Sequence, residues 1–107
     1  MRKNNLFEKI RKIVSQIPGG KVLTYGDVAR LVSTKDARKV GWALHGNQDP
    51  NIPCHRVVQA GGTLAENYSM GTWTEQKSRL QSEGVRFITD RQIDMTVHHL
   101  TDVSCID

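Results

Sequence analysis

The stretch TYGDVARLVSTKDARKVGWALHG, residues 24–46, holds two helical patterns joined by a short polar turn, and that pairing decides the kind of fold the chain can build. Thr24 offers a hydroxyl at an N-cap position ahead of a short helix over Tyr25 to Val32, whose apolar positions are Val28, Ala29 and Leu31. Ser33-Thr34 reads as the turn. The second run places Ala37, Val40, Gly41 and Leu44 at i, i+3, i+4 and i+7, a narrow face of mostly small residues, and Gly46 is its C-terminal stop. Arg38, Lys39, Trp42 and His45 stand away from that face. Two helices separated by a turn of a few residues are the outline of a helix-turn-helix. Any small helical domain contains paired helices, so the outline alone assigns no function.

Upstream, Leu6, Ile10, Ile13, Val14 and Ile17 recur at helical spacing, with Lys9, Arg11, Lys12 and Gln16 among the polar positions. Asn5 and Glu8 resemble a capping box, and Pro18-Gly19-Gly20 ends the helix. Downstream, residues 47–51 form a loop that leads into Ile52-Pro53-Cys54-His55-Arg56-Val57-Val58. Gly61-Gly62 reads as the turn of a β-hairpin, the wing beside a helix-turn-helix. Thr72 or Thr74 caps a helix that runs to about Ser82 and ends at Gly84, with Trp73, Gln76, Lys77 and Leu80 on one side. Val85, Phe87 and Ile88 are expected to pack as a strand, Ile93, Met95 and Val97 alternate, and residues 99–107 carry no fold signal.

At 107 residues the chain is read as a single domain, mostly α with a small β wing, whose site must lie on the surface or in a shallow pocket. Its net charge of +4 is unevenly spread. Residues 1–40 carry ten Lys and Arg against three Asp and Glu, whereas residues 41–107 carry five against eight. A basic N-terminal part suits a polyanion, although a solvated surface has the same composition. The N-terminus lacks the apolar core of a signal peptide and no apolar run approaches the length of a membrane span, so a soluble cytoplasmic protein is expected. In that compartment Cys54 and Cys105 stay reduced, and the spacing of cysteines and histidines fits no metal site.

Cys54 lies between Pro53, which fixes the backbone, and His55. A thiol attacks as the thiolate, and a nearby imidazole is a common acceptor of its proton, so this reads as a nucleophile on a rigid loop. A buried structural cysteine is the alternative that the residues themselves leave open.

The segment IPCHRVV at 52–58, with GGKVLTYGDVA at 19–29, ARKVG at 37–41 and NYS at 67–69 in this order, resembles the C-terminal domain of O6-alkylguanine-DNA alkyltransferases over about residues 5–88. The resemblance implies a winged helix-turn-helix that enters the minor groove of double-stranded DNA and extrudes an O6-alkylguanine from the stack. It implies that Cys54 accepts the alkyl group irreversibly, that His55 is the general base through a water, and that Glu83 orients the imidazole. Arg38 would fill the gap in the stack and Tyr25 would hydrogen-bond the extruded purine. Tyr68 and Ser69 would form a flap over the base, with the Ser69 N–H donating to O6, while the carbonyls of Cys54 and Val57 would accept from the exocyclic amine. Asn47 would tie the helix-turn-helix to the active loop. No cofactor is implied, and a monomer is expected. Full-length relatives carry a further N-terminal domain not seen here. In this the chain resembles the short alkyltransferase-like proteins, which sense the lesion without removing it and attract nucleotide excision repair proteins. Those usually have tryptophan or alanine where this chain has Cys54. A sequence-specific regulator would need base-edge readout, for which no residue pattern argues.

Overall fold

The computed structural model describes residues 6–45, 49–68, 71–101 and 103, with the side chains of Asn67 and Tyr68 excepted. Asn5, Gly46, Asn47, Ser69 and Cys105 lie outside the described residues. Helix α1 spans Leu6–Ser15 and buries Ile10, Ile13 and Val14. Ile17, just past its end, is buried with them. Arg11 on its flank donates through Nε and Nη2 to the carbonyl of Ala43, at 3.3 and 3.2 Å. A cation thereby satisfies a carbonyl in the last turn of the helix it packs against, where the helix dipole is negative.

Strand β1 is Leu23–Thr24, and helix α2 follows over Tyr25–Leu31. The expected Thr24 cap is present as a full capping box. The Asp27 N–H donates to Thr24 Oγ1 at 3.0 Å, and the Thr24 N–H donates back to Asp27 Oδ2 at 2.9 Å. Ser33 takes a left-handed φ of 62°, which reverses the chain after α2 and lets the Thr34 N–H reach the carbonyl of Ala29. Helix α3 is Arg38–His45. Its buried residues are Val40, Ala43 and Leu44, so the packed face is rotated from the one the spacing suggested. Ala37 and Gly41 are only half-buried, and a Cβ built on Gly41 would meet nothing within 4 Å.

Strand β2, Val57–Val58, pairs in parallel with β1, Leu23 opposite Val57 and Thr24 opposite Val58. This short pair separates two cores. Leu23 and Val57 join α1, α2, α3 and Cys54 on one side, while Val22 and Val58 join Leu64, Leu80, Val85 and Ile93 on the other. The division follows from the period of two along a strand, which sends successive side chains to opposite faces.

The hairpin is not where Gly61-Gly62 placed it. Those glycines have φ of 77° and 89° and close a tight loop in which the Gln59 N–H donates to the carbonyl of Thr63, and Thr63 bridges to Gln92. The antiparallel pair is β3, Asn67–Tyr68, with β4, Gly71–Thr72. Helix α4, Trp73–Ser82, follows directly. Thr72 occupies its N-cap position, but its hydroxyl pairs with Thr74 Oγ1 at 2.8 Å rather than with a backbone N–H.

The alternation of Ile93, Met95 and Val97 does not make a strand. Asp94 Oδ1 accepts from the Thr96 N–H at 3.1 Å and caps a single-turn helix α5, Met95–His98, while Phe87 and Ile93 form one isolated bridge. The segment after α5 returns to β1: the Val22 N–H donates to the carbonyl of His98 and the Leu100 N–H to the carbonyl of Val22, both at 2.9 Å. His98 is buried and accepts at Nε2 from the Arg86 N–H at 2.9 Å, so its Nδ1 carries the proton that goes to the carbonyl of Gly20 at 2.8 Å. Among the described residues no helix is long and apolar enough to cross a membrane.

Candidate active site

Cys54 opens a one-turn 3-10 helix, Cys54–Arg56, between Pro53 and β2. Pro53 is buried, and the turn is held by the Cys54 N–H to the carbonyl of Ile52 at 2.8 Å and the Arg56 N–H to the carbonyl of Pro53 at 2.9 Å. The thiol is 3 % exposed and packs in the core shared by α1, α2 and α3. Its burial fits the structural alternative as well as the nucleophile.

His55 Nε2 lies 2.9 Å from Glu83 Oε2, at the C-terminal cap of α4. The expected His55–Glu83 pairing is thus formed across 28 residues of sequence. Burial, opposed only in part by the Glu83 carboxylate, lowers the pKa of His55 below 6.5. The imidazole is therefore neutral at neutral pH. Burial tends to raise Glu83, but hydrogen bonds from Arg56 and then from His55 outweigh it and hold the carboxyl below 4.5. With the imidazole neutral, Arg56 is the charge that keeps Glu83 ionised. An ionised carboxylate only accepts, so His55 donates from Nε2 and keeps its basic lone pair on Nδ1. That tautomer can take a proton.

Two residues without an expected role complete the loop. Arg56 grips both oxygens of Glu83, Nε to Oε1 at 3.0 Å and Nη2 to Oε2 at 2.5 Å, and its Nη1 donates to the carbonyl of Ile17 at 2.6 Å. One guanidinium thus joins the thiol turn, the end of α4 and the end of α1. Gln76 is a polar residue on the buried side of α4, and its Nε2 donates to the carbonyls of His55 at 3.1 Å and Val57 at 3.2 Å. A glutamine in register with Leu80 on a buried helix side was the available signal. Its donors fix the His55–Arg56 and Val57–Val58 peptide planes.

Tyr25 begins α2, set there by the capping box, and lies within electrostatic reach of Cys54. Burial, with the neighbouring Cys54 second, raises the Tyr25 pKa above 10, so the phenol keeps its proton. Tyr25 also lines an open depression of about 330 Å³ with Ala37, Arg38, Gly41, Gln59 and Ala65. The structure therefore brings Tyr25 and Arg38 to one depression, walled in part by the small residues Ala37, Gly41 and Ala65. Val57 is buried, with its carbonyl engaged by Gln76. Tyr68 lies in β3, whose backbone alone is described, and Ser69 and Asn47 fall outside the described residues. No group of three or more His, Cys, Asp or Glu that could hold a metal occurs among the described residues.

The chain matches the family model described as the 6-O-methylguanine DNA methyltransferase DNA-binding domain over residues 5–85. It is 39% identical over 87 residues to alkyltransferase-like protein 1 of Schizosaccharomyces pombe, covering 79% of this chain and 81% of that protein. It is 44% identical over 64 residues to the methylated-DNA-protein-cysteine methyltransferase of Methanocaldococcus jannaschii, covering 59% of this chain but 38% of that protein. Among solved structures, S. pombe Atl1 in complex with damaged DNA containing O6-carboxymethylguanine superposes with a TM-score of 0.76 at 31% identity, covering 92% of this chain and 97% of that one.

Proposed function

The chain belongs to the family of the 6-O-methylguanine DNA methyltransferase DNA-binding domain, and from that premise we propose that it binds O6-alkylguanine in duplex DNA and transfers the alkyl group to Cys54. The observation that carries the transfer is the placement of Cys54 beside an imidazole that is neutral, oriented by Glu83 and basic at Nδ1. The Cys54 proton passes to His55 through a water, and Sγ attacks the alkyl carbon in line as the bond from that carbon to O6 breaks. Guanine leaves with the bonding electrons and takes up a proton, which His55 can return. An S-alkylcysteine is a thioether that no residue nearby can cleave, so each molecule acts once.

The lesion lies inside the base stack while Cys54 is buried, so the nucleotide has to be extruded. Tyr25 and Arg38 flank one depression, which supports the assignment of Tyr25 to the extruded purine and Arg38 to the gap left behind. The carbonyls of Cys54 and Val57 are assigned to the exocyclic amine. Tyr68 and Ser69 are assigned to the flap, and Asn47 to the link between the helix-turn-helix and the active loop.

The test is repair read on the DNA. Incubated with an O6-methylguanine duplex, the wild-type protein restores guanine in an amount equal to the protein added, and Cys54→Ala binds the duplex but restores none. Restoration of guanine by Cys54→Ala would end the assignment. A second reading, recognition of the lesion without transfer, is favoured by one observation. The match to the alkyltransferase-like protein is 39% identical over 79% of this chain, whereas the match to the methyltransferase covers 59% of it. Tight lesion binding with no guanine restored by the wild type would select it.

A further inference from the structure

Asp36 precedes α3 and accepts three hydrogen bonds from a single residue. Its Oδ1 takes the backbone N–H of Arg38 at 3.0 Å and Arg38 Nε at 2.9 Å, and its Oδ2 takes Arg38 Nη2 at 3.1 Å. The guanidinium is also 5.9 Å from the centroid of Trp42, one helical turn further on. Arg38 is therefore folded back along its own helix, between a carboxylate and an indole, although 78 % of its side chain is open to solvent. Capping alone does not call for this carboxylate, since asparagine or serine caps a helix about as well as aspartate. Only three acidic residues occur in the first 40, and Asp36 is the one that borders the Tyr25–Arg38 depression through its partner. A negative charge there opposes a polyanion.

Resting on the reading of Arg38 as the residue that enters the stack, we propose that Asp36 is an autoinhibitory positioning residue. It holds Arg38 against α3 in the free protein and must be released before Arg38 can occupy the vacancy. The carboxylate and the DNA compete for the same guanidinium. The pair must break in every complex in which Arg38 is inserted. On undamaged duplex, where no base is extruded, Arg38 can stay on Asp36. Removing the carboxylate therefore favours the lesion complex more than the undamaged one. The Trp42 ring, 5.9 Å away, is a weaker contact that adds to the hold without replacing it.

The experiment is a double-mutant cycle with Asp36→Asn, which keeps the capping acceptor, and Asp36→Ser as a second cap-competent variant. Each is placed in the wild-type and Arg38→Ala backgrounds and titrated with lesion and undamaged duplexes at one fixed salt. With Arg38 present, both substitutions are expected to raise lesion affinity by about two- to fivefold more than undamaged affinity, the range an exposed ion pair spans. In Arg38→Ala the extra gain disappears, and both duplexes respond equally to the lost charge. Equal gains on the two duplexes with Arg38 present would reduce Asp36 to a plain repulsive charge, and a fall in lesion affinity would make it a preorganising residue. Either result overturns the proposal. If Arg38→Ala alone leaves lesion affinity unchanged, the assignment of Arg38 fails first and this inference falls with it.

Discussion

Glu83→Gln strikes the joint that holds the proposed relay. Glu83 accepts from Arg56 Nε at 3.0 Å, from Arg56 Nη2 at 2.5 Å and from His55 Nε2 at 2.9 Å, with about a fifth of each carboxylate and guanidinium side chain exposed. Glutamine has the same shape but one acceptor oxygen, so its NH2 must face a donor of Arg56 or of His55. Hydrogen bonds to charged groups contribute about 1.5–3 kcal/mol each, and the partial exposure lets water replace some of what is lost, so the expected cost is roughly 2 kcal/mol. For a domain of this size that corresponds to a fall of about 10 °C in Tm. The pH dependence has a definite sign. Glu83 is held below 4.5 in the folded protein, so its contribution is fully present above the unfolded value and is lost as pH falls through the folded one. Urea unfolding of both proteins at pH 7 and at pH 3 reads this directly, with a gap at pH 7 that narrows at pH 3. Equal midpoints at pH 7, or a gap that widens in acid, would refute the account of Glu83 as the ionised hub.

The acid limb of the alkyl-transfer rate should lie below pH 6.5, because burial lowers the pKa of His55, and it should move further down in Glu83→Gln, which removes the interactions that raise it. Single-turnover rates between pH 5 and 8 test this. Tyr25→Phe removes only the hydroxyl and should weaken lesion binding about five- to tenfold, the value of one hydrogen bond, with Tm unchanged; titration at fixed salt measures it. Gln76→Glu puts a carboxyl against the carbonyls of His55 and Val57, where only its protonated form can donate. The variant should be less stable by roughly 3 kcal/mol at pH 7 and recover toward acid, as denaturant midpoints would show.

What the sequence disclosed is the part whose physics is local. Thr24 and Asp27 are three residues apart and form their capping box from nearest-neighbour geometry. The periodicity of residues 25–32 and 73–82 likewise matches α2 and α4 closely. Cys54 and His55 were legible because the motif is contiguous. Glu83 was reached only through family resemblance, since no local pattern says which carboxylate a histidine 28 residues away will meet. Gly61-Gly62 looked like a hairpin turn because the dipeptide supplies positive φ, but β2 already has its partner in β1, so the chain turns without a return strand beside it. Alternation over Ile93 to Val97 lost to one Asp94 cap, a stronger local signal than two periods of apolar spacing. The roles of Arg56 and Gln76 are not legible in the sequence, because their partners are carbonyls and a carboxylate supplied by other elements. Buried polar residues declare such roles only once the fold is known.

The most direct test of transfer to Cys54 is the mass of the protein itself. After incubation with excess O6-methylguanine duplex, the account predicts one added methyl group per molecule, located on the peptide that contains Cys54, with the Cys105 peptide unmodified and no gain in Cys54→Ala. Cys105 is the internal control, because a nonspecific methylating agent would mark it as well. A wild-type protein that holds the lesion tightly for hours and keeps its original mass would contradict the claim.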